Sequence, residues 1–349
     1  MIYLRAFHYH LPLRHTFTIS RGSIQVQPTV IVELSDQEGR YGYGEATTNS
    51  YYGVTVESLV KALRQAKPVV EQSAWDGPET LWDRLQPLMA ESSFALSAID
   101  QAAWDLWGKQ HGQPVYRLWQ LDTSNIPVSN YTIGIDTIER MVEKLREFPD
   151  WPIYKIKLGT TYDLQIVRRL RCETNAVFRV DANCGWTEEE TLHNALVLKS
   201  LGVEFIEQPL PADQWEPMRR LYQKSVLPLI ADESCLQESD VAKCHGYFHG
   251  VNIKLVKCGG LTPARRMIET ARRLGMKVMV GCMTESTVGI SAIAQLLPLL
   301  DYVDMDGAVL LAEDIADGVR LERGRAVYPD RPGSGVRLLR YGRPLCLEL

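Results

Sequence analysis

The chain has 349 residues, of which 45% are apolar and 23% charged, and its formal net charge is −5. This length exceeds what one small core organises, so we expect one large domain and a smaller one. The slightly acidic balance argues against nucleic acid as a partner, and no run of about 18 apolar residues predicts a membrane span. The first residues carry no secretion signal, and the seven cysteines form no CxxC pair. We therefore expect reduced thiols and a cytoplasmic location, and no zinc chemistry.

The N-terminal third predicts a small α+β domain. Alternating apolar and polar residues predict strands at 2–10, 29–34 and 40–45, with a turn at 36–39 that makes the sheet antiparallel. Apolar residues at helical spacing predict helices at 56–66, 78–86 and 92–109. We assign residues 1–124 to this domain.

After Pro127 the sequence becomes a repeat of short apolar strands, most of them followed by an amphipathic helix such as 187–201. The predicted strands are 128–133, 154–158, 178–183, 205–208, 229–233, 251–256, 278–283 and 303–306. Alternation at roughly 25-residue intervals is typical of a parallel β/α array, and eight strands favour closure into a TIM-like barrel. A doubly wound open sheet is the alternative, but no GxGxxG follows the first strand. We assign 125–322 to the barrel and expect 323–349 to return to the N-terminal domain.

Ionisable side chains follow six of the predicted strands at their carboxyl ends, where barrel enzymes carry their active sites. Any one of them alone would read equally well as a solvated loop charge. A whole set of charges beside apolar strand segments is costly unless the charges are paired or bind metal. The groups are Lys155 and Lys157, Asp181 with Asn183, Glu207, Asp232 with Glu233, Lys254, and Asp304 with Asp306.

Asp181, Glu207 and Asp232 end three successive strands, and converging carboxylates repel each other unless a cation lies between them. Ligation by oxygen atoms alone favours a hard ion, so we predict one Mg²⁺ bound by these three residues. Lys157 and Lys254 come from the strands on either side of the trio and are predicted to face each other across the site.

These groups suit removal of a proton beside a carboxylate. Mg²⁺ would stabilise the resulting enediolate, and a lysine near cations has its neutral form favoured and can act as the base. Two bases, one on each face, predict racemisation or epimerisation. One base with a cationic partner would suit elimination or cycloisomerisation instead.

The chain resembles the enolase superfamily, in its muconate-lactonizing subgroup, over nearly its whole length. The resemblance rests on the segments 98–106, 155–157, 180–183, 206–209 and 231–234. It implies an N-terminal capping domain on a modified (β/α)₇β barrel, with Lys157 and Lys254 as catalytic bases and Asp181, Glu207 and Asp232 as Mg²⁺ ligands. Asn183 and Glu233 would support the metal site.

Within the subgroup, the segments 252–260, 281–286 and 304–306 resemble dipeptide epimerases, the relatives of L-Ala-D/L-Glu epimerase. The resemblance implies that Asp304 and Asp306 bind the free ammonium of a dipeptide, which suits two carboxylates on one face of a strand. A salt-bridging carboxylate pair is the plainer reading. Thr132 and Met283 would also contact the substrate. Strand alternation places Lys155 on the same face as Lys157, where we expect it to bind a substrate oxygen and to help lower the pKa of Lys157.

Two loops of the capping domain, 15–23 and 48–53, are expected to set specificity by the same resemblance. Arg21 could pair with a glutamate side chain of the substrate, although a solvated loop arginine fits the sequence equally well.

The resulting prediction is a dipeptide epimerase that inverts the α carbon of the C-terminal residue, with a substrate such as a dipeptide released from peptidoglycan. o-Succinylbenzoate synthase and muconate cycloisomerase are the alternatives in the same superfamily, but their substrates lack the ammonium that would explain Asp304 and Asp306. A non-catalytic barrel scaffold should have lost a ligand or a lysine, and this chain retains all five. We expect a homo-oligomer, the common state of soluble assemblies.

Overall fold

An antiparallel sheet forms the first layer of the capping domain in the computed structural model, which describes residues 1–339 and 345–349. Its strands are β1 (Ile2–Ile19), β2 (Gly22–Asp36) and β3 (Tyr41–Thr47), and the edge next to β1 is β16 (Leu345–Cys346). The first predicted strand is nine residues too short. The segment 15–23, expected as a loop, is the tip of a β-hairpin in which Ile19 pairs with Gly22.

Four helices complete this domain: α1 (Val56–Gln72), α2 (Pro78–Leu85), α3 (Ser93–Gln110) and α4 (Val115–Leu118). The contact between α3 and β3 is close because β3 carries glycines where the two elements meet. A Cβ on Gly42 would lie 2.1 Å from Ala102 O, and one on Gly44 would lie 2.0 Å from Ala98 O. Leucines and alanines of α1 are buried in the same core, as their spacing predicted.

Eight parallel strands follow in a single sheet. Neighbouring strands in the sheet are also consecutive in the chain. The strands and helices are β4 (Tyr131–Ile133), α5 (Ile138–Glu147), β5 (Ile153–Lys157), α6 (Asp163–Arg171), β6 (Val177–Asp181), α7 (Glu188–Ser200), β7 (Val203–Glu207), α8 (Trp215–Lys224), β8 (Leu229–Ala231), α9 (Glu238–Cys244), β9 (Gly250–Ile253), α10 (Leu255–Cys258), α11 (Leu261–Arg273), β10 (Lys277–Gly281), α12 (Thr287–Ala294) and β11 (Tyr302–Asp304). Two 3₁₀ helices, Leu297–Leu299 and Gly307–Leu310, flank β11.

Ser129, two residues before β4, forms a parallel bridge with Val303 of β11, and this contact closes the sheet into a barrel. Seven strand–helix units and a final strand therefore confirm the predicted (β/α)₇β barrel with an α+β capping domain. Seven of the eight predicted strands end one to three residues beyond the observed strand, because the residues after the strand end already belong to the loops of the barrel mouth.

The chain after the barrel adds small pairings. β12 (Ala316–Asp317) pairs with β15 (Arg337–Leu338), and β13 (Arg320–Glu322) pairs with β14 (Arg325–Val327). β16 pairs with β1 through Cys346 and Phe7. The predicted C-terminal segment 323–349 also includes 340–344, which lie outside the described residues. Across the described part of the chain, no helix has the length and apolar character to cross a membrane.

Two buried carboxylates of the capping domain are bonded to the N-terminal ends of barrel helices. Glu45, at the end of β3, accepts hydrogen bonds from the backbone N–H of Ser286 at 3.1 Å and of Gly289 at 3.2 Å, at the start of α12. Asp100, on α3, accepts from the backbone N–H and the hydroxyl of Thr262 at 2.9 and 2.7 Å, at the start of α11. Helix N-termini favour negative charge, so these contacts hold the capping domain over the barrel.

Candidate active site

Strand register places the predicted catalytic groups side by side at the mouth of the barrel. Lys157 is the register partner of Asp181, and Asp181 is the register partner of Glu207. Asp232 follows β8 directly and Lys254 follows β9 directly. The five residues therefore lie in chain order around the carboxyl ends of five adjacent strands, with one lysine at each end of the carboxylate run.

The three carboxylates form a buried cluster. One oxygen from each of Asp181, Glu207 and Asp232 lies within 4.8 Å of the others, and each residue is at most 1% exposed. Burial raises the pKa of Glu207 to about 7, and the charge of Asp181 adds to that rise. Burial would also raise the pKa of Asp232, but Lys254 and Lys257 lower it well below its usual value.

Each of the two predicted catalytic lysines is bonded to a different carboxylate of the cluster. Lys157 Nζ donates to Asp181 Oδ2 at 2.7 Å, and Lys254 Nζ donates to Asp232 Oδ2 at 2.7 Å. Burial would lower the pKa of Lys254, but Asp232 and Glu207 raise it. These carboxylates favour the charged form of Lys254, so for Lys254 to act as a base a cation held among them would have to offset that effect.

Lys155, which strand alternation placed beside Lys157 and against the substrate, is 1% exposed and does not line the cavity. Its Nζ lies 2.7 Å from Glu207 Oε2, 2.7 Å from Asp304 Oδ2 and 3.2 Å from Asp181 Oδ2. Burial would lower the pKa of Lys155, but these three carboxylates raise it well above its usual value. Lys155 thus joins the carboxylate cluster to Asp304 from inside the barrel.

Lys257 belongs to the site although the sequence reasoning left it out. Its Nζ donates to Asp232 Oδ1 at 2.6 Å and to the carbonyl oxygen of Asp232 at 2.5 Å. The omission assumed that the strand continued past Lys254, which would turn Lys257 to the opposite side. The chain instead enters the helical turn α10 at Leu255, and on a helix residues three apart share a side.

The sequence reasoning also missed two amide side chains, one bonded to a carboxylate of the cluster and one bonded to the backbone of the loop that carries another. Asn252 Nδ2 donates to Glu207 Oε1 at 2.8 Å. Gln208 Oε1 accepts from the backbone N–H of Asp232 at 3.0 Å and of Ser234 at 3.1 Å. The only sequence signal for Asn252 was its position two residues before Lys254, which places both on the same side of a strand.

Asp304 and Asp306 lie together where β11 meets β4. Asp304 Oδ1 accepts from Asn130 Nδ2 at 2.8 Å, and Asp306 Oδ1 accepts from the hydroxyl of Thr132 at 3.1 Å. Burial and the charge of Asp304 raise the pKa of Asp306 well above its usual value. A cationic group placed between the two carboxylates would relieve that repulsion, so the pair suits an ammonium.

The predicted residues meet at a cavity of about 360 Å³ between the capping domain and the barrel mouth. Both catalytic lysines and the carboxylate pair line it, together with the predicted contacts Thr132 and Met283. Its roof comes from the two capping segments expected to set specificity, 15–23 and 48–53. Its lining includes Ile19, Arg21, Tyr51, Tyr52, Lys157, Asn183, Glu233, Lys254, Asp304 and Asp306.

Asn183 and Glu233 link this cavity to the cluster. Asn183 has a left-handed backbone (φ 44°) and its N–H donates to Asp181 Oδ1 at 2.9 Å. Glu233 is 4% exposed, and its Oε1 lies 2.6 Å from Arg21 Nη2. Burial raises the pKa of Glu233, and the charges of Asp232 and Asp181 add to it, while Arg21 and Lys254 oppose the rise.

The carboxylate cluster fits a divalent cation. It offers oxygen ligands alone, which is the donor set that Mg²⁺ prefers. Glu207 Oε2 lies near Lys155 Nζ, but no group in the described part of the chain donates to it with hydrogen-bond geometry. A buried carboxylate oxygen without a donor is costly in a folded protein, and a cation among these three residues would satisfy it.

Comparison with known proteins agrees with this architecture. Residues 1–119 match the family described as mandelate racemase / muconate lactonizing enzyme, N-terminal domain, and residues 136–341 match the one described as enolase C-terminal domain-like. An L-Ala-D/L-amino acid epimerase of Flavobacterium johnsoniae is 56% identical over 331 residues, which cover 95% of this chain and 98% of the relative. An L-Ala-D/L-Glu epimerase of Bacteroides thetaiotaomicron is 40% identical, covering 95% and 86% of the two chains.

Among solved structures, the dipeptide epimerase of Methylococcus capsulatus complexed with Mg and the dipeptide L-Arg-D-Lys superposes with a TM-score of 0.87. It is 31% identical, and the match covers 96% of this chain and 99% of that one. With both domains matched in order along one chain, this protein belongs to the enolase superfamily, in its mandelate racemase and muconate lactonizing enzyme family.

Proposed function

We propose that this chain is a Mg²⁺-dependent dipeptide epimerase that inverts the α carbon of the C-terminal residue. The observation that carries the proposal is the placement of Lys157 and Lys254 at the two ends of a buried carboxylate cluster, both opening into one cavity. The relatives described above support it, since they are an L-Ala-D/L-amino acid epimerase and an L-Ala-D/L-Glu epimerase.

The substrate's two charged ends match two parts of the cavity. Its ammonium is held by Asp304 and Asp306, and its carboxylate lies toward the cluster of Asp181, Glu207 and Asp232. Mg²⁺ held by those three residues would neutralise the negative charge that builds up on the substrate carboxylate as the α proton leaves. The α carbon then lies between the two lysines.

Lys157 and Lys254 carry out the proton transfers. A neutral lysine on one face takes the proton from the α carbon, and the ammonium of the opposite lysine delivers a proton to the other face. One C–H bond breaks and one forms, so the configuration inverts with no net gain or loss of protons. Lys155 contacts Asp304 and Lys257 contacts Asp232, so neither lysine is assigned a proton transfer.

Muconate cycloisomerisation and o-succinylbenzoate synthesis remain the alternatives within the superfamily. Their substrates carry no ammonium. They would therefore offer no cation to Asp306, whose pKa is raised by burial and by the charge of Asp304, while Asp304 is already bonded to Lys155. A non-catalytic scaffold is disfavoured because all five expected metal ligands and lysines are retained and brought together.

The test is proton exchange in D₂O with Mg²⁺ against a mixed library of dipeptides, measured by mass spectrometry. We expect a gain of one dalton on dipeptides with a free N-terminus. Absence of exchange on all dipeptides, with turnover of a succinylbenzoate precursor or a muconate, would refute the epimerase assignment and leave the barrel and metal site unaffected.

A further inference from the structure

Arg21 joins four segments around the cavity rather than projecting freely into it. From the hairpin tip between β1 and β2, its Nη1 donates to the carbonyl oxygen of Asn183 at 2.9 Å, in the loop after β6. Its Nη2 lies 2.6 Å from Glu233 Oε1, in the loop after β8. Its guanidinium carbon lies 4.2 Å above the ring centre of Tyr51, in the second capping segment.

The neighbouring residue strengthens the same contact. Ser20 Oγ donates to the carbonyl oxygen of Asn183 at 3.0 Å, so two consecutive residues of the hairpin tip bind one barrel loop. Asp181 and Asp232, which begin the two loops involved, are both members of the carboxylate cluster. Arg21 therefore positions the capping domain against the loops that carry the predicted metal ligands.

The groups around Arg21 favour hydrogen-bond donors and disfavour a second carboxylate. Glu233 Oε2 and Asn183 Oδ1 are both buried, and neither has a hydrogen-bond donor among the described residues. A substrate carboxylate brought to Arg21 would meet the charge of Glu233 and these unpaired acceptor oxygens. The hairpin also lines the cavity with the apolar side chains of Ile19, Ile24 and Val26, and among its described residues it brings no second cationic side chain to the lining.

We infer that Arg21 is a positioning residue bound to Glu233, not the receptor for an acidic substrate side chain, and that the site prefers dipeptides whose C-terminal residue is uncharged. This inference rests on the proposed epimerase function and specifies its substrate class. It departs from the expectation that Arg21 selects a glutamate side chain, because the arginine already has a carboxylate partner in the protein.

The test compares L-Ala-L-Gln with L-Ala-L-Glu, which have side chains of the same shape and different charge. For the unmodified enzyme we expect kcat/KM for L-Ala-L-Gln to exceed that for L-Ala-L-Glu by about tenfold or more. In Arg21→Met, kcat/KM should fall for both substrates while their ratio stays within about threefold of the original. In Glu233→Gln, which frees the guanidinium, the ratio should shift toward L-Ala-L-Glu by about tenfold.

Arg14→Met is the matched control, since Arg14 is an exposed arginine of β1 bonded to the carbonyl oxygen of Val309 and does not line the cavity. Its substrate ratio should equal that of the unmodified enzyme. Preference for L-Ala-L-Glu that disappears selectively in Arg21→Met would overturn the inference while leaving the epimerase function standing. Absence of exchange with every dipeptide would overturn both.

Discussion

Asn252 donates a hydrogen bond from Nδ2 to Glu207 Oε1 over 2.8 Å and so fixes the orientation of the central carboxylate of the cluster. Both residues are fully buried. Glu207 can turn only one of its oxygens toward a cation while the other accepts from Asn252. The amide thus decides which oxygen is available for metal binding.

Replacing this amide should weaken metal binding. In Asn252→Leu, Glu207 loses its orienting donor, and the apparent dissociation constant for Mg²⁺ should rise by about 10- to 100-fold, as is typical for outer-sphere partners of metal ligands. The measurement is a Mg²⁺ titration followed by the shift in Tm. Asn125→Leu, in an exposed loop, is the control, and an unchanged Mg²⁺ titration in Asn252→Leu would contradict the orienting role.

Magnesium should stabilise the folded protein through the carboxylate cluster. At about 100 times its dissociation constant, Mg²⁺ should add about 2.7 kcal/mol to the free energy of unfolding, and EDTA should remove that gain. Glu207→Gln should abolish the response. This variant is cleaner than one at Asp232, whose loss would leave the ammonium groups of Lys254 and Lys257 buried without their partner.

The control for the metal site lies on the same strand. Glu204 is on β7, three residues before Glu207. Its Oε2 lies 2.8 Å from Arg179 Nε, in an ion pair that does not involve the cluster. Glu204→Gln should keep the full Mg²⁺-dependent shift in Tm. A shift that persists in Glu207→Gln would place the metal elsewhere.

Asp306 should contribute to binding of the substrate's ammonium. In Asp306→Asn the hydrogen bonds with Thr132 can remain while the negative charge is lost, so kcat/KM for free dipeptides should fall by about 10- to 100-fold, mainly through KM. Asp304 is a poorer probe because its carboxylate also holds Lys155. Steady-state kinetics with free and N-acetylated dipeptides measure the effect, and an equal loss on both substrates would argue against ammonium binding.

The strand and helix order was predictable from apolar periodicity, and the resemblance to the enolase superfamily supplied the (β/α)₇β barrel with its capping domain. All eight barrel strands and the three N-terminal strands were located, since a buried parallel strand flanked by helices leaves a distinctive pattern. The ends of elements were less accurate. β1 runs to Ile19 because its outer half pairs with β2 across an irregular register between Pro12 and Phe17, which no local pattern shows.

The active site was predictable as far as strand periodicity holds. The periodicity correctly grouped Lys157, Asp181 and Glu207, which are register partners on adjacent strands. It failed for Lys257, where the backbone leaves the strand. It also could not show that Lys155 contacts carboxylates from three other strands. Contacts between distant segments, such as Arg21 with Glu233, require the folded structure.

Some expectations stay predictions. These are the domain limits at 124 and 322, the cytoplasmic location, the homo-oligomeric state and a role in peptidoglycan recycling. The individual roles of the site residues likewise stay predictions until variants are measured.

The most direct test of the two-lysine mechanism is stereospecific proton exchange in D₂O with Lys157→Ala and Lys254→Ala, using Lys224→Ala on the exposed end of α8 as control. Neither active-site variant should epimerise a dipeptide. Each should retain deuterium exchange at the α carbon of one epimer only, and the two variants should retain opposite epimers, because each keeps the base on one face. Exchange of the same epimer by both variants, or continued epimerisation by either one, would contradict the assignment of one lysine to each face.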